Sequence, residues 1–319
     1  ASDVYKRQYQ MLGAIFSIFA FEKENIGFVM NLMSGFASAL AISFMYWSII
    51  LILKKITDTS EASVNKQILI SGSALVGSLA FAFTDTFWFS AVETEVYAMA
   101  TLIMAVIFYL GLRWEADMHN SRGDKWLLLI CFVIGLSFGV HFMGLLVIPA
   151  IVMIYYFKNQ KTILNSTKVN PIIGFFIANI IGLGILMGVF KLLLPNTLKF
   201  FSAIELLFVN NLGLPFNSGT LVAFVVIVYA FYFLINYTRK KGMVRANTIT
   251  LCFLFIFIGF SSWLILPIRA NADVVINEND PSNARELLAY YNLEQYPKTY
   301  LFYGPLFSDQ YSGCLLYTS

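Results

Sequence analysis

Three carboxylates lie around one predicted tight turn in a chain that is otherwise poor in charge. Asp85, Glu93 and Glu95 lie within the stretch FTDTFWFSAVETEVYA, which contains no lysine or arginine. A carboxylate near hydrocarbon is costly unless it meets water, a cation or a proton. The three acids therefore indicate a site that acts as a general base or binds a divalent cation, because hard cations take oxygen ligands. The alternative is that they cap a helix N-terminus, where the helix dipole favours negative charge.

A histidine among glycines is the second candidate. His141 lies in GLSFGVHFMGLL, with Gly135, Gly139 and Gly144 around it. Glycines let backbones approach closely in membranes, and an imidazole at such a place could bind a phosphate or relay a proton. The alternative is a neutral imidazole that hydrogen-bonds a carbonyl at the apex of a helical hairpin.

Three cations near the ends of apolar runs could hold a phosphate group: Lys191, Lys199 and Arg269. An arginine can do so with two parallel hydrogen bonds. For the lysines, snorkelling from a helix end is the commoner explanation. Arg269 is followed by Ala-Asn-Ala-Asp, at the point where the sequence turns polar, and this favours a functional role.

The elements that must position these residues are membrane-spanning helices. Hydrophobic residues make up 59% of the 319 residues and charged residues only 12%, against roughly 25% charged in a typical soluble domain. Several apolar runs reach the about 20 residues that a helix needs to cross a bilayer. The net charge of +3 is too small to indicate a nucleic-acid partner. The three cysteines do not indicate a disulfide framework.

The apolar runs predict an all-α integral membrane protein with about eight spans. Six spans are predicted at 26–53, 68–90, 95–112, 171–194, 221–236 and 248–267. The charge-free run 126–157 would be about 48 Å long as one helix, too long for a 30 Å core even at a tilt of about 40°. We therefore expect two short spans there that meet near His141.

The placement of positive charge predicts the orientation. Loops after alternate spans carry 13 of the 21 lysines and arginines, as expected of the cytoplasmic face. Both visible termini, the three acids and His141 then lie outside a bacterial inner (cytoplasmic) membrane that the chain crosses several times. Residues 198–213 have apolar positions at helical spacing and predict an interfacial helix. The polar segment after Arg269 predicts the start of an extracytoplasmic domain.

The two ends of the chain resemble read-through of a sequencing adaptor. Residues 3–8 can be written GAT GTG TAT AAG AGA CAG, and residues 314–319 can be written TGT CTC TTA TAC ACA TCT. These strings are reverse complements, offset by one base. We expect 1–8 and 314–319 to be non-native, 9–268 to form the transmembrane helical domain, and 269–313 to begin the extracytoplasmic domain.

Four stretches resemble glycosyltransferase family 117, a family of bacterial membrane enzymes with the GT-C fold. They are VMNLMSG at 29–35, FWFSAVETEVYA at 87–98, GLSFGVHFMGLLVIPA at 135–150, and IRANADVVINENDPSNA at 268–284. The resemblance implies transfer of a sugar, with mannose as one candidate, from a polyprenyl-phosphate donor to an extracytoplasmic protein or glycan. Membrane lipid is a further expected partner, and a divalent cation is the candidate cofactor.

One departure from the family affects the expected activity. The family carries an acidic segment in its first outer loop, resembling Trp-Asp-x-Gly-Glu and followed by His-Pro-Pro-Gly. This chain instead joins the adaptor-like residues directly to Tyr9. The resemblance therefore implies that the first helix and the principal catalytic carboxylate are absent, so that this fragment is expected to be inactive. A secondary transporter and a membrane scaffold of an envelope assembly are the alternatives.

Overall fold

Every regular element in the described part of the chain is a helix. The computed structural model describes residues 7–57, 63–120, 122–164, 170–272, 277 and 279–296. The α-helices are α1 Arg7–Ser17, α2 Ile26–Ile56, α3 Val64–Ala82, α4 Asp85–Val92, α5 Val96–Asp117, α6 Asp124–Ser137, α7 Ile148–Leu164, α8 Pro171–Met187, α9 Leu194–Leu206, α10 Ser218–Lys240, α11 Val244–Phe260, α12 Ile265–Ala270 and α13 Ala284–Asn292. The adaptor-like residues 1–6 and 314–319 and most of the predicted outer domain lie outside the described residues.

The prediction of an all-α polytopic membrane protein is confirmed. Six helical stretches among the described residues are long and apolar enough to cross a membrane: Lys23–Ile56, Val96–Asp117, Phe142–Asn159, Pro171–Asn211, Ser218–Lys240 and Val244–Ala270. The α3 and α4 pair makes a seventh if it is counted as one bent span. The remaining predicted span is α6, whose 14 residues reach only about 21 Å.

The charge-free run 126–157 is two helices, as predicted. After α6 ends at Ser137, the chain turns, and a 3-10 helix, Phe142–Val147, leads into α7. His141 lies in this break. A Cβ on Gly144 would come within 2.9 Å of the side chains of Ile103 and Ser137, so the glycine allows the 3-10 helix to pack tightly on α5 and α6. Because α6 is about 21 Å long, the break lies within the depth of a bilayer core.

Two predicted elements differ from the structure. The predicted span 68–90 is two helices, α3 and α4, that meet at an angle of 70°. The predicted interfacial helix at 198–213 is not a separate element, because residues 171–211 are helical throughout, with wider π-type turns at Gly188–Leu193 and Leu207–Asn211. At about 61 Å this helix is twice as long as a hydrocarbon core is thick. Its second half therefore extends beyond the core.

The core of the bundle lies where α5, α6, α7, α9, α11 and α13 meet. The closest helix pair is α6 and α11, where a Cβ on Gly135 would lie 2.2 Å from the carbonyl oxygen of Ile256. Helix α13 joins this core through Leu287, Tyr290 and Tyr291. The first part of the predicted outer segment is thus packed onto the bundle.

Candidate functional site

The α4 to α5 connection and the break at His141 meet at one end of the bundle. Glu95 is the residue before α5 and is partly buried. Tyr97, in the first turn of α5, has its ring centroid 5.6 Å from that of His141. A carboxylate, a phenol and an imidazole are therefore gathered at the start of α5, and these are groups that can exchange protons with a substrate.

Tyr9 and Ser34 form the buried floor beside this cluster. The Tyr9 hydroxyl lies 2.9 Å from Ser34 Oγ, and the two residues are 4% and 0% exposed. Burial raises the pKa of the Tyr9 phenol above its ordinary value, and the negative charge of Glu95 raises it further, while the Ser34 hydrogen bond opposes the shift. The phenol therefore keeps its proton at neutral pH. The effect of Glu95 on this pKa also places its carboxylate near Tyr9.

The predicted tight turn that would gather all three acids is instead helix α4. Asp85 is its first residue, whereas Glu93 follows its last. The two acids are eight positions apart in the sequence, which corresponds to about 12 Å along a helix axis. Glu93 and Glu95 remain close, since the Glu95 amide donates to the Glu93 carbonyl at 2.8 Å. Thr94 between them donates its hydroxyl to Asn31 of α2.

This arrangement bears on the predicted divalent cation. The described residues contain no group of three or more His, Cys, Asp or Glu side chains that could hold a metal ion. Asp85, Glu93 and Glu95 therefore do not form a shared site, because α4 holds the first apart from the other two. Asp85 and Glu93 are both exposed, as acids in contact with water would be.

His141 is oriented by its own backbone turn. The Nδ1 atom of the His141 ring accepts the backbone N–H of Met143 at 3.1 Å. The backbone N–H of His141 donates to the Ser137 carbonyl at 2.8 Å. A neutral imidazole that accepts at Nδ1 carries its proton on Nε2. The partner at Nδ1 is thus a backbone donor, and the carbonyl partner considered from the sequence stays a prediction for Nε2.

Lys191 is the candidate cation that packing connects to His141. Its Nζ lies 4.7 Å from the centroid of the Phe190 ring. That ring is 4.8 Å from the ring of Phe142, the residue after His141. Tyr291 of α13 also donates its hydroxyl to the Phe190 carbonyl at 2.6 Å. Contacts through Phe190 and Phe142 thus connect α13 and Lys191 with the residue that follows His141.

The described contacts give Arg269 and Lys199 no comparable connection to His141. Both are exposed, Arg269 in the last turn of α12 and Lys199 in α9. Ion pairs among the described residues join Glu115 to Lys55 and Lys158, and neither of these pairs involves Arg269 or Lys199.

Two adjoining cavities form an apolar groove along the bundle, between the long helix 171–211 on one side and α10 and α11 on the other. Their volumes are about 720 and 590 Å³. Both are lined by Thr197, Ile227, Phe231 and Phe257, and the second reaches Asn283 at the start of α13. We call the two together the apolar groove. It is suited to a hydrocarbon chain whose polar end lies near α13.

Sequence reasoning missed Tyr9, Ser34 and Tyr97. Tyr97 lies in the same short stretch as the acids, so its proximity to Glu95 could have singled it out. The pairing of Tyr9 with Ser34 spans 25 residues and has no local signal. Glu205 was also missed. It is 7% exposed, and its carboxylate accepts three hydrogen bonds from the start of α10, which is a structural role.

Comparison with known proteins relates the first part of the chain to a family. Residues 8–164 match the model described as Protein O-mannosyl-transferase TMEM260 N-terminal domain. No curated protein and no solved structure matches the chain. The matched residues include Tyr9, Glu95, Tyr97 and His141. The match supports a glycosyltransferase-like family for this region, and the three candidate cations lie beyond it.

Proposed function

We propose that the protein is a membrane glycosyltransferase that moves a sugar from a polyprenyl-phosphate donor to a protein or glycan acceptor on the extracytoplasmic side of a bacterial inner membrane. Mannose is the candidate sugar, and family 117 with its GT-C fold is the proposed finer classification. The observation that carries the proposal is that Tyr97, two residues after Glu95, contacts His141 at one end of the bundle, within the region of the family match.

The proposed reaction is an inverting transfer. A carboxylate takes the proton of the acceptor hydroxyl, whose oxygen forms a bond to the anomeric carbon. The bond from that carbon to the phosphate oxygen breaks, and its electron pair leaves with the lipid phosphate. The resemblance to family 117 assigns the principal carboxylate to the first outer loop, and Glu95 and Glu93 are the candidates to share this role in this chain. No step is assigned to a metal ion, since the described carboxylates do not form a group suited to one.

The leaving phosphate needs positive charge and hydrogen-bond donors. Lys191 is the first candidate because Phe190 and Phe142 connect it to the break that holds His141. Arg269 and Lys199 are the further candidates. The isoprenoid chain of the donor would lie in the apolar groove, whose walls are almost entirely hydrocarbon. Such a chain is stabilised by burial of its apolar surface.

The test is transfer from polyprenyl-phosphate mannose by protein expressed from the full reading frame that contains this sequence. Replacing Glu93→Gln and Glu95→Gln together should lower the rate by about 100-fold or more, the usual contribution of a general base. The matched control replaces Glu22→Gln and Glu24→Gln, which are exposed acids near the start of α2, and should leave the rate unchanged.

One outcome would reject the roles assigned to the two acids, and another would overturn the proposed activity. One is an unchanged rate in the Glu93 and Glu95 variant, which would reject their role. The other is substrate-dependent flux across liposomes without sugar transfer, which would support a secondary transporter. The position of the acids disfavours that alternative, since Glu93 and Glu95 lie at helix ends, whereas transporters usually keep their polar groups near the bilayer midplane.

A further inference from the structure

Apart from the apolar groove, a further cavity lies at the opposite end of the bundle from His141, and its walls carry charged residues. It has a volume of about 530 Å³ and lies between the ends of α2 and α5 and helix α7. Lys55, Glu115 and Lys158 contribute its polar wall, and the remaining wall is apolar, including Leu112 and Phe157. The cavity therefore combines a charged rim with a hydrocarbon lining.

The charged rim has an excess of positive charge. Lys158 Nζ lies 3.2 Å from one oxygen of Glu115, and Lys55 pairs with the other oxygen. One carboxylate between two ammonium groups leaves a net charge of +1. The lysine side chains are 45% and 31% exposed, against 15% for Glu115. Each ammonium has three donors, so both lysines can still donate to a further anion from the open side of the cavity.

The surroundings place this rim at the depth of lipid headgroups. Trp114 stacks on Tyr155 with ring centroids 5.6 Å apart, and Arg113 lies 4.8 Å from the centroid of Trp126. Aromatic residues with such basic neighbours are typical of a membrane interface. This is also the end that the distribution of lysine and arginine predicts to be cytoplasmic, where basic pockets between helices bind acidic headgroups.

We propose that this cavity is a binding site for an anionic phospholipid of the adjacent leaflet. The phosphate of the headgroup lies between Lys55 and Lys158, and Glu115 holds the two ammonium groups in position. An acyl chain runs along the apolar wall past Leu112 and Phe157. The bound lipid joins α2, α5 and α7 at this end. This inference does not depend on the proposed glycosyl transfer.

The test measures retained lipid by native mass spectrometry. The protein is reconstituted in vesicles of equal parts phosphatidylglycerol and phosphatidylcholine and then extracted. The wild type should retain phosphatidylglycerol in preference to phosphatidylcholine. Replacing Lys55→Gln and Lys158→Gln should lower the preference by about tenfold to thirtyfold, since a basic residue near an anionic surface contributes about 1 kcal/mol.

Two further variants keep the test decisive. Adding Glu115→Gln to the double variant removes the unpaired carboxylate, so this neutral triple variant should fold and still lose the preference. The matched control replaces Lys54→Gln and Lys241→Gln, which are exposed lysines at the ends of α2 and α10, and should retain it. If this control loses as much of the preference for phosphatidylglycerol as the double variant does, the lipid is attracted by general positive charge alone. That result would overturn the proposal.

Inorganic phosphate distinguishes the source of the anion. Phosphate at millimolar concentration should not displace phosphatidylglycerol, because the apolar wall contributes to lipid binding alone. Displacement by phosphate, or full retention of the lipid by the triple variant, would contradict a lipid site.

Discussion

The contact between α6 and α11 leads to the sharpest stability prediction, Gly135→Ala. A Cβ at this position would lie 2.2 Å from the Ile256 carbonyl oxygen and 2.9 Å from both Gly259 Cα and the Phe260 amide nitrogen. All three atoms belong to the backbone of α11, so no side-chain rotation can relieve the overlap. The two helices must move apart.

The cost follows from the distance. Ordinary contact begins at 3.4 Å, so the helices must separate by about 1.2 Å at this point. Overpacking of a close-packed core costs about 1 to 3 kcal/mol, and an immovable backbone places Gly135→Ala toward the upper value. Since α6 ends immediately before the break that holds His141, the displacement should also alter the site.

The assay is unfolding in mixed micelles, followed by circular dichroism. Gly184→Ala is the matched control, because a Cβ on this glycine of α8 meets nothing within 4 Å. It should be neutral or stabilising, since alanine favours helix over glycine. Gly259→Ala should behave like Gly135→Ala, because its Cβ would lie 2.2 Å from the Phe132 carbonyl oxygen.

The double variant provides a check on the mechanism. Both alanines require the same separation of α6 and α11, so their combined cost should be smaller than the sum of the single costs. The reasoning would be refuted if Gly135→Ala unfolded within about 0.5 kcal/mol of Gly184→Ala, the range typical of substitutions without a specific mechanism.

Three further changes test individual hydrogen bonds, each measured by the same unfolding assay. Glu205→Gln should destabilise the fold by about 2 to 3 kcal/mol. The buried carboxylate accepts three hydrogen bonds from the start of α10, and an amide has only one oxygen to accept them. An unchanged unfolding midpoint would contradict the structural role of Glu205 at the start of α10. Tyr9→Phe should cost about 1 to 2 kcal/mol, because it leaves the buried Ser34 hydroxyl without its 2.9 Å partner; the added change Ser34→Ala should recover part of that loss. Trp263→Phe should cost a similar amount, since the indole N–H donates to the buried Phe138 carbonyl at 2.9 Å, and stability equal to the wild type would show that this bond contributes nothing.

The helical segments could be predicted from the sequence because a membrane span depends on a local property. About 20 apolar residues in succession suffice to cross the hydrocarbon core, whatever the rest of the chain does. The division of residues 126–157 followed from basic residues at both flanks and from the length limit. The structure places the break at His141.

The arrangement of the site could be predicted only in part. The short stretch that contains Glu93 and Glu95 was recognised, and its closeness to His141 was not. Asp85 was grouped with the other two acids because proximity in sequence suggested a turn, whereas the residues between them form α4. Whether the eight residues of α4 form a helix or a turn depends on what they pack against. In the structure α4 packs on α2.

By itself, the sequence determined that the chain is helical, that it spans a membrane and that its apolar run breaks near His141. These features depend on the transfer of successive side chains from water to hydrocarbon, which each segment settles alone. Only the tertiary structure decided that Tyr97 meets His141, that Tyr9 pairs with Ser34 and that Phe190 connects Lys191 to the break. Such contacts depend on how helices pack, and packing is set by the shapes of residues far apart in the chain.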